Sequence, residues 1–309
     1  MAALYNNIAR IILGKRESVL LAIACLLARG HLLIEDVPGV GKTMLARALA
    51  RSIDGQFRRV QCTPDLLPSD ITGVSVYNQQ SGKFEFVPGP VFTHVLLADE
   101  VNRATPRTQS SLLECMAENQ VTVDGQTRRL DPLFMVLATQ NPVEFHGTFP
   151  LPEAQLDRFF MRIRMGYPDV SEEIAILRAQ NRRHPIEDLK PVVTRDRIVA
   201  LQNQVAEVAV HDSVAEYITA VVRATRSHSD VELGAGPRGS LALMKAAQAM
   251  ALLSGREFVT PQLVKQVAVP VLSHRLILRQ TTALTGKRGD DVIREVLNLV
   301  PTPAADTAA

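Results

Sequence analysis

Residues 32–49 read LLIEDVPGVGKTMLARAL: an apolar run, a short stretch with two glycines and a proline, then a helical pattern opened by Lys42 and Thr43. A buried strand turning through glycine into a helix N-terminus belongs to parallel sheets with helical crossovers, and it leaves backbone N–H groups facing whatever sits above the helix. The spacing of phosphate-binding loops, G-x-x-x-x-G-K-[ST], is met at Gly41, Lys42 and Thr43 but broken at Asp36, where glycine is usual. Aspartate tolerates turn conformations and bonds nearby backbone, so Asp36 at the strand exit takes the place of glycine as a turn-former. Gly39 and Gly41 let N–H groups turn toward phosphate oxygens, Lys42 reaches the outer phosphates, and Thr43 offers a hydroxyl to Mg²⁺. A glycine-rich turn without a ligand is the bland alternative, and it leaves the strand, the spacing and Gly-Lys-Thr as coincidences.

Up to about residue 165 helical patterns alternate with apolar runs at His31–Ile34, Arg59–Cys62, Val95–Ala98, Leu133–Thr139 and Phe160–Ile163, which predicts a parallel α/β sheet with helices on both faces. Two hairpins are expected inside it. One joins Val74–Tyr77 to Phe84–Val87 across Gln79-Gln80-Ser81-Gly82; the other joins Val121–Val123 to Thr127–Leu130 across Asp124-Gly125. After Gly166 strands disappear and apolar residues recur at helical spacing, as in Ile198, Leu201, Val205 and Val208. One later helix runs from about Leu241 to Leu253 and stops at Gly255; the next starts at Thr260-Pro261. The expected organisation is a core over 1–166, a linker and connecting helix over 167–195, a small all-α lid over 196–300 and a frayed tail over 301–309.

The second half of a phosphate site is an apolar strand ending in acid, and VLLADE supplies it. Asp99 is the candidate to hold Mg²⁺ through its water shell, and Glu100 to orient and polarise an attacking water. Adjacent acids at a strand end also serve as helix caps. In FMVLATQNP a second apolar strand ends at Asn141, whose amide reaches the γ-phosphate and the water if that strand lies beside Asp99; a plain Asn-Pro turn is the competing reading. LPEAQLDRFF puts Arg158 just past a short helix, where a guanidinium suits a finger reaching a neighbouring subunit's γ-phosphate, against a structural pair with Glu153 or Asp157. Arg238, in GAGPRGS, opens a helix of the second domain and is placed either to sense nucleotide or to be a solvated helix start.

A net charge of +2 with scattered basic residues gives no electrostatic footprint for nucleic acid or anionic lipid. Cys25, Cys62 and Cys115 are far apart and in no C-x-x-C pair, which fits buried thiols in a reducing, cytoplasmic compartment. The apolar run Val19–Ala28 falls short of the ~20 residues that cross a bilayer, so no direct membrane insertion is expected. No histidine or cysteine cluster has metal-site spacing, which leaves Mg²⁺ bound with ATP as the expected metal.

Taken in order, these motifs resemble those of an AAA+ ATPase. The phrases EDVPGVGKT, CTPDLLPSDITG, FVPGPVF, LLADEVNRATPRTQSSLLECM, ATQNPVEFHGTFPLPEAQLDRF, GPRGSLAL and VAVPVLSHRL resemble the MoxR family within that class, up to about residue 290. Gly236 and Gly239 around Arg238 depart from the family's more usual serine and alanine, and Asp36 is a frequent family residue. The resemblance implies an AAA+ core with a parallel sheet sandwiched by helices, hairpin insertions at 71–92 and about 120–131 facing a pore or partner, and the small helical lid. It implies ATP contacts from Gly14, Asp36, Pro38, Gly39, Val40, Gly41, Lys42, Thr43 and Met44, metal contacts from Thr43 and Asp99, and catalytic roles for Glu100, Asn141, Arg158 and Arg238. It also implies a homo-oligomer, a hexameric ring, acting as an ATP-driven chaperone that remodels or loads metal into a client protein with a von Willebrand factor A domain partner. The rival class is a nucleic-acid-stimulated motor, against which stand the near-neutral charge and a second hairpin with only Arg128 and Arg129. A small-molecule kinase leaves Glu100, Asn141 and Arg158 unexplained, and a GTPase lacks N-K-x-D.

Overall fold

A computed structural model describes residues 1–142, 147–179 and 185–303. Helices α1 (Ala2–Ala9) and α2 (Arg16–Leu27) precede β1 (Leu32–Glu35), and α3 (Lys42–Ser52) crosses to β2 (Phe57–Gln61). After α4 (Pro68–Thr72) the chain forms the hairpin of β3 (Gly73–Asn78) and β4 (Lys83–Pro88), then β5 (Val95–Asp99) and α5 (Pro106–Glu118). A second hairpin of β6 (Gln120–Val123) and β7 (Gln126–Arg129) leads to β8 (Met135–Gln140), the short α6 (Glu153–Leu156), β9 (Met161–Ile163) and α7 (Val170–Ala179). The helical part comprises α8 (Arg195–Glu207), α9 (Asp212–Ser227), β10 (Val231–Leu233), α10 (Pro237–Leu253), α11 (Pro261–Leu272), β11 (Ile277–Leu278), α12 (Gln280–Leu284) and α13 (Gly289–Leu299). Residues 143–146, 180–184 within the expected connecting segment and 304–309 of the expected tail lie outside the described residues.

The central sheet has five strands in the order β2-β5-β8-β1-β9, and every pairing is parallel. The inner strands β1, β5 and β8 read as unbroken apolar runs because both their faces are buried, while the edge strands β2 and β9 carry arginines. Leu32 and Ile34 of β1 join one hydrophobic cluster with α1, α2 and α3, while Leu33, between them, joins the other with Leu112, Leu113 and Met116 of α5. The first of these clusters continues without a break into the lid, through Ile198, Val221, Ala246, Val267 and Ile293. Helix α2 packs against both α8 and α10, so core and lid share a seam built from ordinary core residues.

Local signals account for most element ends. Thr260 caps α11 by accepting from the Leu263 N–H with Pro261 next, and Gly255, with a φ of 69°, follows the end of α10. In the second hairpin Asp124 and Gly125 both take positive φ, 52° and 72°, the two-residue turn that suits the right-handed strand twist. Helix α10 begins at Pro237, ahead of the Leu241 start that the apolar spacing gives. Beyond Gly166 the helical pattern is joined by one antiparallel ribbon, β10 with β11, whose strands are too short to carry a period of two. All three cysteines are buried free thiols. Among the described residues no helix is long and apolar enough to cross a membrane.

His31, at the entrance to β1, accepts from the Val136 N–H through Nδ1 at 3.0 Å, which leaves Nε2 to donate to the Met116 carbonyl at 3.0 Å. Burial lowers its pKa to about 4 against the opposing pull of that carbonyl bond. A depressed histidine contributes stability that is complete above its unfolded pKa of ~6.5 and is lost as pH falls toward the folded value, here roughly 3 kcal/mol at most. Denaturant titrations at pH 7 and pH 4.5 test this. His31→Gln, whose amide offers one acceptor and one donor and does not titrate, is expected to lose less stability over that interval than the unaltered chain.

Candidate functional site

Parallel strands present all their C-terminal ends along one edge, and in this sheet that edge carries, in spatial order, Gln61, Asp99, Gln140, Glu35 and Ile163. The loop from Asp36 to Gly41 leaves β1, between β8 and β9 on that edge, and enters α3. Gly39 and Gly41 have φ of 86° and 94°, a region costly for residues with a Cβ. No side chain caps α3, so its first-turn N–H groups remain directed out of the helix as an anion cradle. The Lys42 ammonium folds back and donates to the Asp36 carbonyl at 2.7 Å. Burial pulls its pKa below the ordinary value, while Asp99, Asp36 and Glu100 pull the other way.

Asp36 does more than form a turn. Its side chain is buried, and one oxygen accepts from the Val37 N–H at 2.9 Å while the other accepts from the N–H groups of Met165 and Gly166 at 2.6 and 2.7 Å. The loop is thereby bound to the segment that leaves β9. The residue before it, Glu35, pairs with Arg164 and, at 3.5 Å, with Arg162; both arginines reach Asp290 at the start of α13 at 2.9 Å. Arg162 also donates to the Ser273 hydroxyl at 3.2 Å.

The two acids of VLLADE are held by residues that the sequence did not single out. Thr139, fully buried on β8, donates to Asp99 Oδ1 at 2.6 Å and accepts from the Glu100 N–H at 2.8 Å. Arg59 on β2 reaches Asp99 Oδ2 with Nε at 3.1 Å and Nη2 at 2.6 Å, and donates to Gln61 at 2.7 Å. Gln61 and Arg103 each donate to Glu100 Oε2 at 3.1 Å. Glu100 itself is left-handed, φ 56° and ψ 51°, a strained conformation for a residue with a side chain and one that surrounding bonds must enforce. Arg59 and Gln61 share a strand face through their spacing of two; the missing signal was the register that sets Gln61 opposite Asp99. Asn141 follows β8, which runs between β1 and β5, so it stands on the same edge between the loop and the acids.

Beside the loop a cleft is lined by Ile11, Ile12, Gly39, Val40, Met44 and Pro168, among others. At Gly14 the Glu172 carboxylate of α7 occupies the space a Cβ would need, 1.6 Å away, and Lys15 pairs with that carboxylate at 3.3 Å. Arg158 and Arg238 do not line this cleft, and neither do Lys42, Asp99, Glu100 or Asn141. Arg158 is exposed and donates to the Leu113 carbonyl at 2.9 Å; among the described residues it makes no ion pair with Glu153 or Asp157. Asp157 is engaged by Arg275 at 2.9 Å and by the largely exposed Arg238 at 3.6 Å. Lys42 and the two acids thus stand within electrostatic reach of one another with Asn141 on the same edge, whereas Arg238 pairs with Asp157 and Arg158 holds the Leu113 carbonyl.

Comparison with known proteins agrees with this architecture. Residues 31–161 match the model of the ATPase family associated with various cellular activities (AAA), and residues 223–296 match that of the AAA lid domain. The YeaC protein of Bacillus subtilis, itself uncharacterized, is 51% identical over 303 residues, which span 98% of this chain and 95% of that one. Chaperone MoxR1 of Mycobacterium tuberculosis is 41% identical over 306 residues, 96% of this chain and 81% of that protein. A solved structure from Cytophaga hutchinsonii, described as a candidate ATPase, superposes with a TM-score of 0.91 at 38% identity and covers 97% of this chain and 94% of its own. Agreement that runs through core and lid alike means that the chain belongs to the MoxR family of AAA+ ATPases.

Proposed function

We propose that this chain is a Mg²⁺-dependent ATPase whose active unit is a homo-oligomeric ring, coupling hydrolysis to the remodelling, maturation or metal loading of a protein client. The observation that carries the reading is the division of the chemistry. Lys42, Asp99, Glu100 and Asn141 stand along one edge of the sheet, while Arg158 is bonded to the Leu113 carbonyl and Arg238 to Asp157 instead of to any of those four. A site completed by the arginines of a neighbouring copy fits that division, and it favours Arg238 acting on the neighbour's nucleotide rather than its own.

In this reading the α3 N–H groups and Lys42 bind the phosphates, with Lys42 exchanging the Asp36 carbonyl for phosphate oxygen. Gly14, Pro38, Val40 and Met44 flank the base and the loop. The Thr43 hydroxyl and the Asp99 carboxylate are hard oxygen donors of the type Mg²⁺ accepts, and Thr139 keeps Asp99 oriented for it. Mg²⁺, when bound, neutralises the charge that develops on the transferred phosphoryl group. Glu100 takes the proton of the attacking water, and Asn141 holds the water and the γ-phosphate in line. Arg158 from the next copy stabilises charge as the bond to the leaving phosphate breaks.

The first hairpin exposes Val74, Val76 and Val87 on one face and Tyr77 and Phe84 on the other, apolar surface consistent with contact to a client protein or to a von Willebrand factor A domain partner. Arg128, one of two basic residues on the second hairpin, lies 3.9 Å from the Phe86 ring centre, which supports a protein rather than a nucleic-acid client. A reduced, buried set of thiols suits a cytoplasmic setting.

Two substitutions separate binding from turnover. Lys42→Ala is expected to weaken ATP binding by a hundredfold or so, having lost the mobile cation over the outer phosphates; unchanged affinity in calorimetry contradicts the loop assignment. Glu100→Gln is expected to keep ATP and lose most turnover, and ordinary hydrolysis in that protein removes Glu100 from its role.

Mixing tests the shared site. Arg158→Ala alone is expected to bind ATP and hydrolyse it about a thousandfold more slowly. Combined with Lys42→Ala in mixed rings, verified by co-purification of a tag carried on one variant, it is expected to regain partial activity, because some interfaces then join an intact pocket to an intact finger. A wild-type rate for Arg158→Ala by itself would falsify the finger assignment.

A further inference from the structure

The phrase VAVPVLSHRL has no part in the chemistry above, yet it delivers a buried guanidinium to the loop that carries Arg158. Helix α11 ends at Leu272, the tight turn Ser273–Arg275 follows, and the Arg275 side chain, 4% exposed, passes from the lid under the core. Nε donates to Asp157 Oδ1 at 2.9 Å, and Nη2 donates to the carbonyls of Phe159 at 2.8 Å and Asp157 at 3.4 Å. Nη1 donates to the Phe160 carbonyl at 3.4 Å and to that of Val271 in α11. One planar group thus grips the backbone on both sides of Arg158, which is the only residue of the stretch from Asp157 to Phe160 that it leaves out.

Besides Arg275, that stretch is held by the Phe160 N–H donating to the His31 carbonyl at 2.8 Å and by His274 Nε2 against the Phe159 carbonyl at 3.1 Å, neither of which reaches Asp157. The stretch belongs to no helix or strand, and its neighbour α6 is a single turn. Phe159 is fully buried, which anchors one side, and the Arg158 side chain is exposed with one bond to a carbonyl. A fork with five donors in a rigid plane sets several acceptors at once, which an ammonium on a flexible stem does not. Asp157 makes the arrangement a three-way joint, since its other oxygen faces Arg238 at 3.6 Å.

We propose that Arg275 is the positioning residue for Arg158, so that the lid of one subunit sets the reach of the finger that serves the next subunit's ATP. Arg275 touches neither nucleotide nor water; it acts through the carbonyls of Asp157, Phe159 and Phe160. The proposal rests on the shared-site reading above.

Arg275→Lys tests it, because lysine keeps the charge and loses the fork. Its ATP affinity and KM are expected to stay within about twofold of the unaltered protein while kcat falls about ten- to a hundredfold, the effect of a misplaced group on a reaction that depends on alignment. Hydrogen exchange is expected to quicken at the amides of residues 157–161 and to stay unchanged through α10. In mixed rings Arg275→Lys is expected to behave as a finger variant, regaining activity with Lys42→Ala and not with Arg158→Ala. Asp157→Asn, which leaves the carbonyl bonds in place, is the milder companion if the lysine variant does not fold, with the same pattern at smaller amplitude. Wild-type kcat in a folded variant, unchanged exchange at 157–161, or no recovery with Lys42→Ala overturns the proposal. If Arg158→Ala with Lys42→Ala does recover in that last case, the shared site stands and the positioning role alone fails. If that pair does not recover either, the shared site fails and takes this proposal with it.

Discussion

One carboxylate joins the nucleotide loop to the rest of this molecule. Asp36 accepts three backbone N–H groups, one from its own loop and two from the exit of β9, in a place shielded from water. Charge-assisted bonds of this kind are about twice as strong as neutral ones, and an unmade buried N–H is costly. Glycine in that position supplies turn freedom and leaves the Met165 and Gly166 donors without this acceptor. The departure from the common loop pattern therefore exchanges local freedom for a fixed distance between the loop and the chain that leads on to α7. Next door, Glu35 carries the same connection onward through Arg162 and Arg164 to Ser273 and Asp290.

The sequence was most legible where one residue type could serve only one purpose. The apolar runs marked β1, β5 and β8 plainly because strands buried on both faces have no polar alternation to blur them, while the edge strands β2 and β9 showed shorter runs that include arginine. Their ends were marked by acid or the glycine loop, which pointed to Lys42, Asp99 and Glu100, whereas Asn141 joined them only on condition that its strand runs beside β5, as the pairing of β5 with β8 provides. Asp124-Gly125 and Thr260-Pro261 declared a turn and a helix start through their own backbone chemistry. What stayed hidden depended on pairing across the chain. Arg59 and Gln61 matter only because β2 runs beside β5 in a particular register, and an arginine on a surface strand carries no sign of that.

The residues around Arg158 illustrate the same limit from the other side. Sequence proximity offered an ion pair with Glu153 or Asp157 as the reading that competes with the finger, yet Asp157 is taken by Arg275, 118 positions away, whose other acceptors include carbonyls. Carbonyl acceptors have no residue signature, so such a clamp is invisible to any reading by side-chain type. The β10–β11 ribbon was hidden for a simpler reason: two or three residues do not establish a period.

The unbroken hydrophobic cluster from Leu4 to Val296 has a mechanical consequence. Side chains interlocked at crystal-like density do not open as a hinge; they slide by small amounts or separate altogether. A lid seated on α2 in this way melts with the core as one cooperative unit instead of fraying ahead of it. In the ring proposed above, large excursions would then be accommodated at the seams between copies, each chain a stiff stave whose stroke is the tilt of one whole molecule against the next.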